Sequence, residues 1–178
     1  ADTLRGLAGD DLLDGDDGDD VLAGGVGADA LRGGAGDDVL IGLAGADELT
    51  GGAGADRLEG GMGDDRYRFG PGAGRDVVAD AGGEDVILIG AGVAPGQLLV
   101  EQSRDGSQIV LKIRGTGDRV AIVDALGIGR VEAVRFEDGT TWTVADLLAH
   151  PLDQLVDDVL GVPVARHAAD FEEVRSEE

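Results

Sequence analysis

One apolar residue recurs every nine positions through the first half of the chain: Leu4, Leu13, Leu22, Leu31, Leu40, Leu49, Leu58 and Tyr67. Each is the middle of a triplet that alternates outward, inward and outward, as a three-residue strand does. The spacing predicts a stack of very short strands with one inward apolar column. Between the triplets the chain is glycine-rich. Residues 24–32 read GGVGADALR, 33–41 GGAGDDVLI, 42–50 GLAGADELT, 51–59 GGAGADRLE and 60–68 GGMGDDRYR. Two earlier copies start at Gly6 and Gly15, and residues 1–5 read as the tail of another. We therefore expect the chain to be part of a larger protein. Phe69 and Gly70 interrupt the period, after which 71–79 and 80–88 regain it with Val78 and Ile87 as the apolar members.

From Leu98 the nine-residue phase disappears and longer alternating segments begin. Strands are predicted over 98–102, 108–113, 119–123, 131–136 and 140–143, with Asp105-Gly106 and Asp138-Gly139 as hairpin turns. Phe136 and Trp142 are expected in the core. Thr143 and Asp146 have capping-box spacing ahead of a helix whose apolar face is Val144, Leu147 and Leu148. Leu152, Leu155, Val156, Val159 and Leu160 predict a second helix, stopped by Gly161 and Pro163. The remainder, to Glu178, is polar and acidic. The expected division is 1–88 repeat body, 89–150 β-rich cap, and 151–178 amphipathic helix with an acidic tail.

The repeat unit matches a nonapeptide template, G-G-x-G-x-D-x-U-x, whose ligand is calcium. Calcium takes six to eight hard oxygen ligands, so a site needs carboxylates and several backbone carbonyls converging on one point. Glycine permits the left-handed backbone such a loop requires, and the sixth-position aspartate supplies charge. On these residues the chain resembles the RTX haemolysin-type calcium-binding repeats of secreted bacterial toxins, proteases, lipases and adhesins. That resemblance implies an all-β fold: a right-handed parallel β-roll with two nonapeptides per turn, capped by a β-rich C-terminal flank with one or two short helices. It also implies two columns of calcium ligands, Asp2, Asp20, Asp38 and Asp56 on one side and Asp11, Asp29, Asp47 and Asp65 on the other. Asp76 and Asp85 continue them in the end turns. Backbone carbonyls are implied at Gly25, Gly27, Gly34, Gly36, Gly52, Gly54, Gly61 and Gly63. The stretch 130–148 resembles the flank that follows such repeats.

Two departures from the family pattern carry expectations. Leu7, Asp16 and Leu43 replace the second glycine, which predicts strain or a weaker site at those loops. Asp10, Asp19, Asp37 and Asp64 precede the ligand aspartate where the family often has Asn, and are expected to be solvated charge.

The net charge of −23 excludes a nucleic-acid binder driven by phosphate contacts. Residues 1–88 hold 21 Asp and Glu against 6 Arg, an excess that about six to eight calcium ions would nearly neutralise. With no cysteine, rigidity must come from metal rather than disulfides. No run approaches the ~18 apolar residues of a transmembrane helix, and the start lacks a signal peptide. No motif places His150 or His167 in catalysis, and no enzyme activity is expected. The expected function is a calcium-binding module, a monomer, that folds outside a Gram-negative bacterial cell. The family resemblance further implies that it supports export of a larger toxin, hydrolase or adhesin through a type I secretion apparatus, with the C-terminal tail as the address. The alternative is a calcium-dependent adhesin or carbohydrate-binding module.

Overall fold

The computed structural model describes residues 1–102, 107–123 and 131–149. Ten strands form the repeat body: β1 Thr3–Ala8, β2 Leu12–Asp14, β3 Val21–Val26, β4 Ala30–Ala35, β5 Val39–Ala44, β6 Glu48–Ala53, β7 Arg57–Met62, β8 Arg66–Phe69, β9 Arg75–Ala79 and β10 Asp85–Ile89. Odd strands pair in parallel in one sheet and even strands in another, so the chain is a parallel β-solenoid of five two-strand turns. Register runs Leu22↔Leu40↔Leu58↔Val78 on one sheet and Leu31↔Leu49↔Tyr67↔Ile87 on the other. These side chains are at most 1 % exposed. Leu4 and Leu13 are only partly buried, because they sit in the first turn with a single neighbour.

The strands differ from the expected three residues. Most are six, because the first three residues of the next repeat stay extended and keep bonding. Ala30–Ala35, for example, pairs Gly34↔Gly52 and Ala35↔Ala53 as well as Leu31↔Leu49. The loop proper is thereby reduced to about three residues ending at the aspartate. Phe69 and Gly70 lengthen one turn from 18 to 20 residues without breaking the register: Tyr67 still pairs with Ile87, and Phe69, 3 % exposed, joins the core.

The C-terminal region continues both sheets. It comprises β11 Leu98–Gln102, β12 Gln108–Ile113, β13 Arg119–Val123, β14 Val131–Phe136, β15 Thr141–Thr143 and α1 Val144–Ala149. The β11–β12–β13 segment is antiparallel, and β13 joins the body by pairing in parallel with β9. On the other sheet β14 pairs in parallel with β10 and antiparallel with β15. Ile122 thus lies beside Val78 and Val134 beside Ile87, so both apolar columns run on into the flank. The Phe136 and Trp142 rings meet edge to face at 4.8 Å. The Asp138-Gly139 turn closes with Thr140 O accepting from the Phe136 N–H, and the final strand starts at Thr141 rather than Thr140.

The capping box forms, with the Thr143 N–H donating to Asp146 Oδ2 at 2.8 Å and the Asp146 N–H to Thr143 Oγ1 at 3.3 Å. On α1, Leu147 is buried but Leu148 faces outward, 45 % exposed, since one turn and a half of helix offers the core a single inward position. Asp105-Gly106 and everything from residue 150 onward, including the second predicted helix and the tail, lie outside the described residues. Among those described, no helix is long and apolar enough to cross a membrane.

Candidate metal centre

Each loop ends in an aspartate that turns inward. Asp20, Asp29, Asp38, Asp47, Asp56, Asp65, Asp76 and Asp85 are all buried, none more than 4 % exposed, while Asp11 is half-buried and Asp2 is exposed at the first turn. Burying a carboxylate is costly unless each oxygen finds a partner. One oxygen does. The N–H of Asp11 donates to Oδ1 of Asp29 (2.8 Å), that of Asp29 to Asp47 (2.8 Å) and that of Asp47 to Asp65 (2.7 Å). On the other side Asp20 donates to Asp38 (2.8 Å), Asp38 to Asp56 (2.9 Å) and Asp56 to Asp76 (3.3 Å). The Asp2 N–H makes the corresponding bond to Asp20. The sixth-position aspartates therefore lie in the two columns that the repeat implies.

The second oxygen finds nothing. Oδ2 of Asp11, Asp20, Asp29, Asp38, Asp47, Asp56, Asp65 and Asp85 is buried and has no hydrogen-bond partner. Asp76 is the exception among the buried set, and there β13 sets the apolar Val120 opposite it. Burial pushes the carboxyls of Asp38, Asp47 and Asp56 above the usual range, against the pull of their backbone hydrogen bonds, and neighbouring aspartates add to the rise. The same causes take Asp65 and Asp76 to about 7 and Asp85 to about 8. Rows of inward carboxylate oxygens without a proton donor or a basic side chain fit a hard dication and little else.

The backbone completes the loop. Gly25, Gly27, Gly34, Gly36, Gly52, Gly54, Gly61 and Gly63 all have positive φ, between 112° and 153°. Successive turns approach so closely there that a Cβ on Gly45 would overlap the carbonyl oxygen of Gly27, and one on Gly54 that of Gly36. Three non-glycine residues share this backbone, Leu7 (φ 80°), Asp16 (φ 63°) and Leu43 (φ 82°), the positions at which strain was expected. A side chain in that region costs about 1–2 kcal/mol.

Sequence reasoning missed three features. The first glycine of each unit lies against the unpaired oxygen: a Cβ on Gly33 or Gly42 would overlap Oδ2 of Asp38 or Asp47. The fifth-position aspartates are exposed, as expected of solvated charge, but they also accept hydrogen bonds. Asp10, Asp19 and Asp37 accept from the N–H of Ala28, Asp37 and Ala55 one turn on, at 2.9–3.0 Å. The flank also contributes carboxylates. Glu132 Oε2 accepts from the Asp85 N–H at 2.7 Å, the bond a further aspartate would make. Asp118 accepts from the Gly72 and Gly74 N–H groups, both 3.0 Å away.

The raised carboxyls set a pH dependence for the metal-free fold. An aspartate near 3.8 when unfolded but at 7 or 8 when folded takes up protons on folding between those values. Its contribution is whole in acid and is lost as pH climbs through 7 to 8. In excess chelator the chain should show more β structure by circular dichroism at about pH 5 than at about pH 8.5. A flat or opposite profile would show that the inward carboxylates do not govern folding.

The family model for the RTX calcium-binding nonapeptide repeat (4 copies) matches residues 1–31 and 32–67, and that for the haemolysin-type calcium binding protein related domain matches 109–146. No curated protein matches the chain. Among solved structures, the chain is similar to the AlgE6R3 subunit from the Azotobacter vinelandii mannuronan C5-epimerase, at 34% identity over 64% of this chain and 79% of that one, with a TM-score of 0.46. It is similar also to the AlgE6R2 subunit of the same enzyme, at 31% identity over 67% and 83%, with a TM-score of 0.38.

Proposed function

The chain belongs to the RTX haemolysin-type calcium-binding repeat family, and from that premise we propose that it is a non-catalytic module that folds on meeting calcium outside the cell. In this reading residues 1–88 are the calcium-binding body, 89–150 its cap, and 151–178 the segment that a type I secretion apparatus reads while exporting a larger protein. The observation that carries the calcium part is the row of buried Oδ2 atoms without partners.

Bound calcium supplies the positive charge that these oxygens lack. Everything else falls to the chain. Asp20, Asp29, Asp38, Asp47, Asp56, Asp65 and Asp85 each keep Oδ1 on a backbone N–H of the turn before and offer Oδ2 to the ion, and Asp11, in the first turn, offers its own Oδ2. Asp2 and Asp76 end one of the two columns. The positive-φ glycines let neighbouring turns approach closely enough for their carbonyls to complete the shell. In the cytosol, where calcium is scarce, the carboxylates repel and the chain stays export-competent; at the submillimolar to millimolar levels typical of extracellular modules it folds.

Neighbouring residues test the assignment. Asp38→Ala removes one proposed ligand and one backbone acceptor and should raise the calcium midpoint several-fold. Asp37→Ala, which loses only the exposed bond to Ala55, should shift it by less than about twofold, consistent with ~0.5 kcal/mol for such a bond. Equal shifts in a calorimetric titration would refute the ligand assignment. The export part is tested separately: a chain ending at residue 161 should keep its calcium midpoint yet fail to leave cells that carry a type I apparatus.

A further inference from the structure

Asp80 occupies the place held by glycine in every complete repeat from Gly6 to Gly60. One carboxylate oxygen from each of Asp65, Asp80 and Asp85 lies within 4.8 Å of the other two. Asp65 and Asp85 are fully buried, and Oδ2 of each lacks a partner. The Asp65 Oδ2 points toward the Gly60 α-carbon, where the Tyr67 hydroxyl also lies. That hydroxyl accepts from the Gly60 N–H at 2.8 Å and donates to Asp80 Oδ2, while Asp80 Oδ1 accepts from the Gly82 N–H at 2.8 Å. Tyr67 is itself a departure, the one aromatic in a column of Leu, Val and Ile. Two departures from the repeat therefore meet at one point, the phenol holding the extra carboxylate beside two unpaired buried ones.

Resting on the calcium reading above, we infer that Asp65, Asp80 and Asp85 form a three-carboxylate cation site at the last turn of the body, distinct from the other loops, that binds most tightly and fills first. The repeats from Gly6 to Gly60 bring a glycine, and the 71–79 repeat brings Pro71, where this one brings a third negative charge. Affinity of an oxygen site rises with the number of charged ligands, and a third carboxylate also favours a trivalent cation over a divalent one. Asp80 is a direct ligand in this arrangement, and Tyr67 is a positioning residue.

The position of the phenol provides the probe. Tyr67 is the only tyrosine, close enough to the site to transfer excitation to bound terbium. In the full-length chain carrying Trp142→Phe to silence the only tryptophan, terbium is added in small steps to calcium-loaded protein. Tyrosine-sensitised emission should rise with the first equivalent and then level off. Asp80→Asn keeps the shape and the neutral hydrogen bonds but removes the charge, and Asp80→Gly restores the residue that the other repeats use. In both, the antenna remains and the first-equivalent emission should fall on the order of tenfold, while calcium still induces β structure through the other loops. Unchanged first-equivalent emission in the variants, or none in the parent chain, would overturn the inference even if calcium folds every variant. A parent chain that neither binds nor folds with calcium would instead overturn the reading on which it rests.

Discussion

Removing calcium from the folded chain is expected to abolish most of its β structure. Eight carboxylate oxygens are buried without partners, the chain carries a net charge of −23, and no salt bridge from a lysine or arginine reaches the sixth-position aspartates among the described residues. At neutral pH each turn would have to hold its inward charge against the charges above and below it. The apolar column offers one side chain per strand to oppose this, worth about 2 kcal/mol apiece when fully buried. Circular dichroism in excess chelator should show a largely disordered chain that refolds cooperatively as calcium is restored. Magnesium at the same concentration should not substitute, because it demands tight octahedral geometry and gives up its water reluctantly. Unchanged β content in chelator at neutral pH would mean that the inward carboxylates are neutralised some other way.

The second large effect concerns the flank. A chain ended after Ile89 keeps every proposed aspartate ligand but loses β13 and β14, the strands that pair with β9 and β10. Val78 and Ile87 would then face solvent on the open side of the last turn, as would the edges of both sheets. A solenoid needs its terminal repeat covered. The stabilisation that burial of Leu111, Val120, Ile122, Val134 and Phe136 gives the shared core, roughly 1.5–3 kcal/mol each, goes with the flank. Calcium-induced folding should lose its cooperativity or vanish. The milder Glu132→Gln, which weakens the bond to the Asp85 N–H, should cost about 1 kcal/mol and leave a cooperative transition. A truncated body that folds at the full-length calcium midpoint would show that the ions suffice without the flank.

What could be seen in the sequence was whatever repeats at fixed pitch. The inward column and the strain at Leu7, Asp16 and Leu43 follow from position within the nonapeptide, and the two aspartate rows from the family resemblance that the nonapeptide carries. A residue's role is then set by its neighbours in the same unit. Strand length was not visible, because Gly33 and Gly34 look like loop and yet extend β4; their pairing depends on the turn at Gly51 and Gly52 rather than on local preference. The fifth-position aspartates hid for the same reason: the acceptor at Asp37 is useful only because Ala55 arrives one turn later. Asp80 and Glu132 were further from view. Asp80 matters through a phenol 13 residues away and Glu132 through a backbone N–H 47 residues away, and neither partnership has a period to betray it.

The backbone-to-carboxylate bonds also give the body a polarity. Apart from Asp76, the buried N–H groups at the sixth position are satisfied by a carboxylate from the turn or flank that follows, Asp20 by Asp38, Asp47 by Asp65, Asp65 by Asp85, and Asp85 by Glu132. No turn can finish its hydrogen bonding until its C-terminal neighbour is in place. Assembly that begins at the flank satisfies each new turn on arrival, whereas assembly begun at Thr3 would leave a donor open at every step. The roll should therefore zip from its C-terminal end toward its N-terminal end and fray in the reverse order, with β1 and β2 exchanging their amide hydrogens long before β9 and β10.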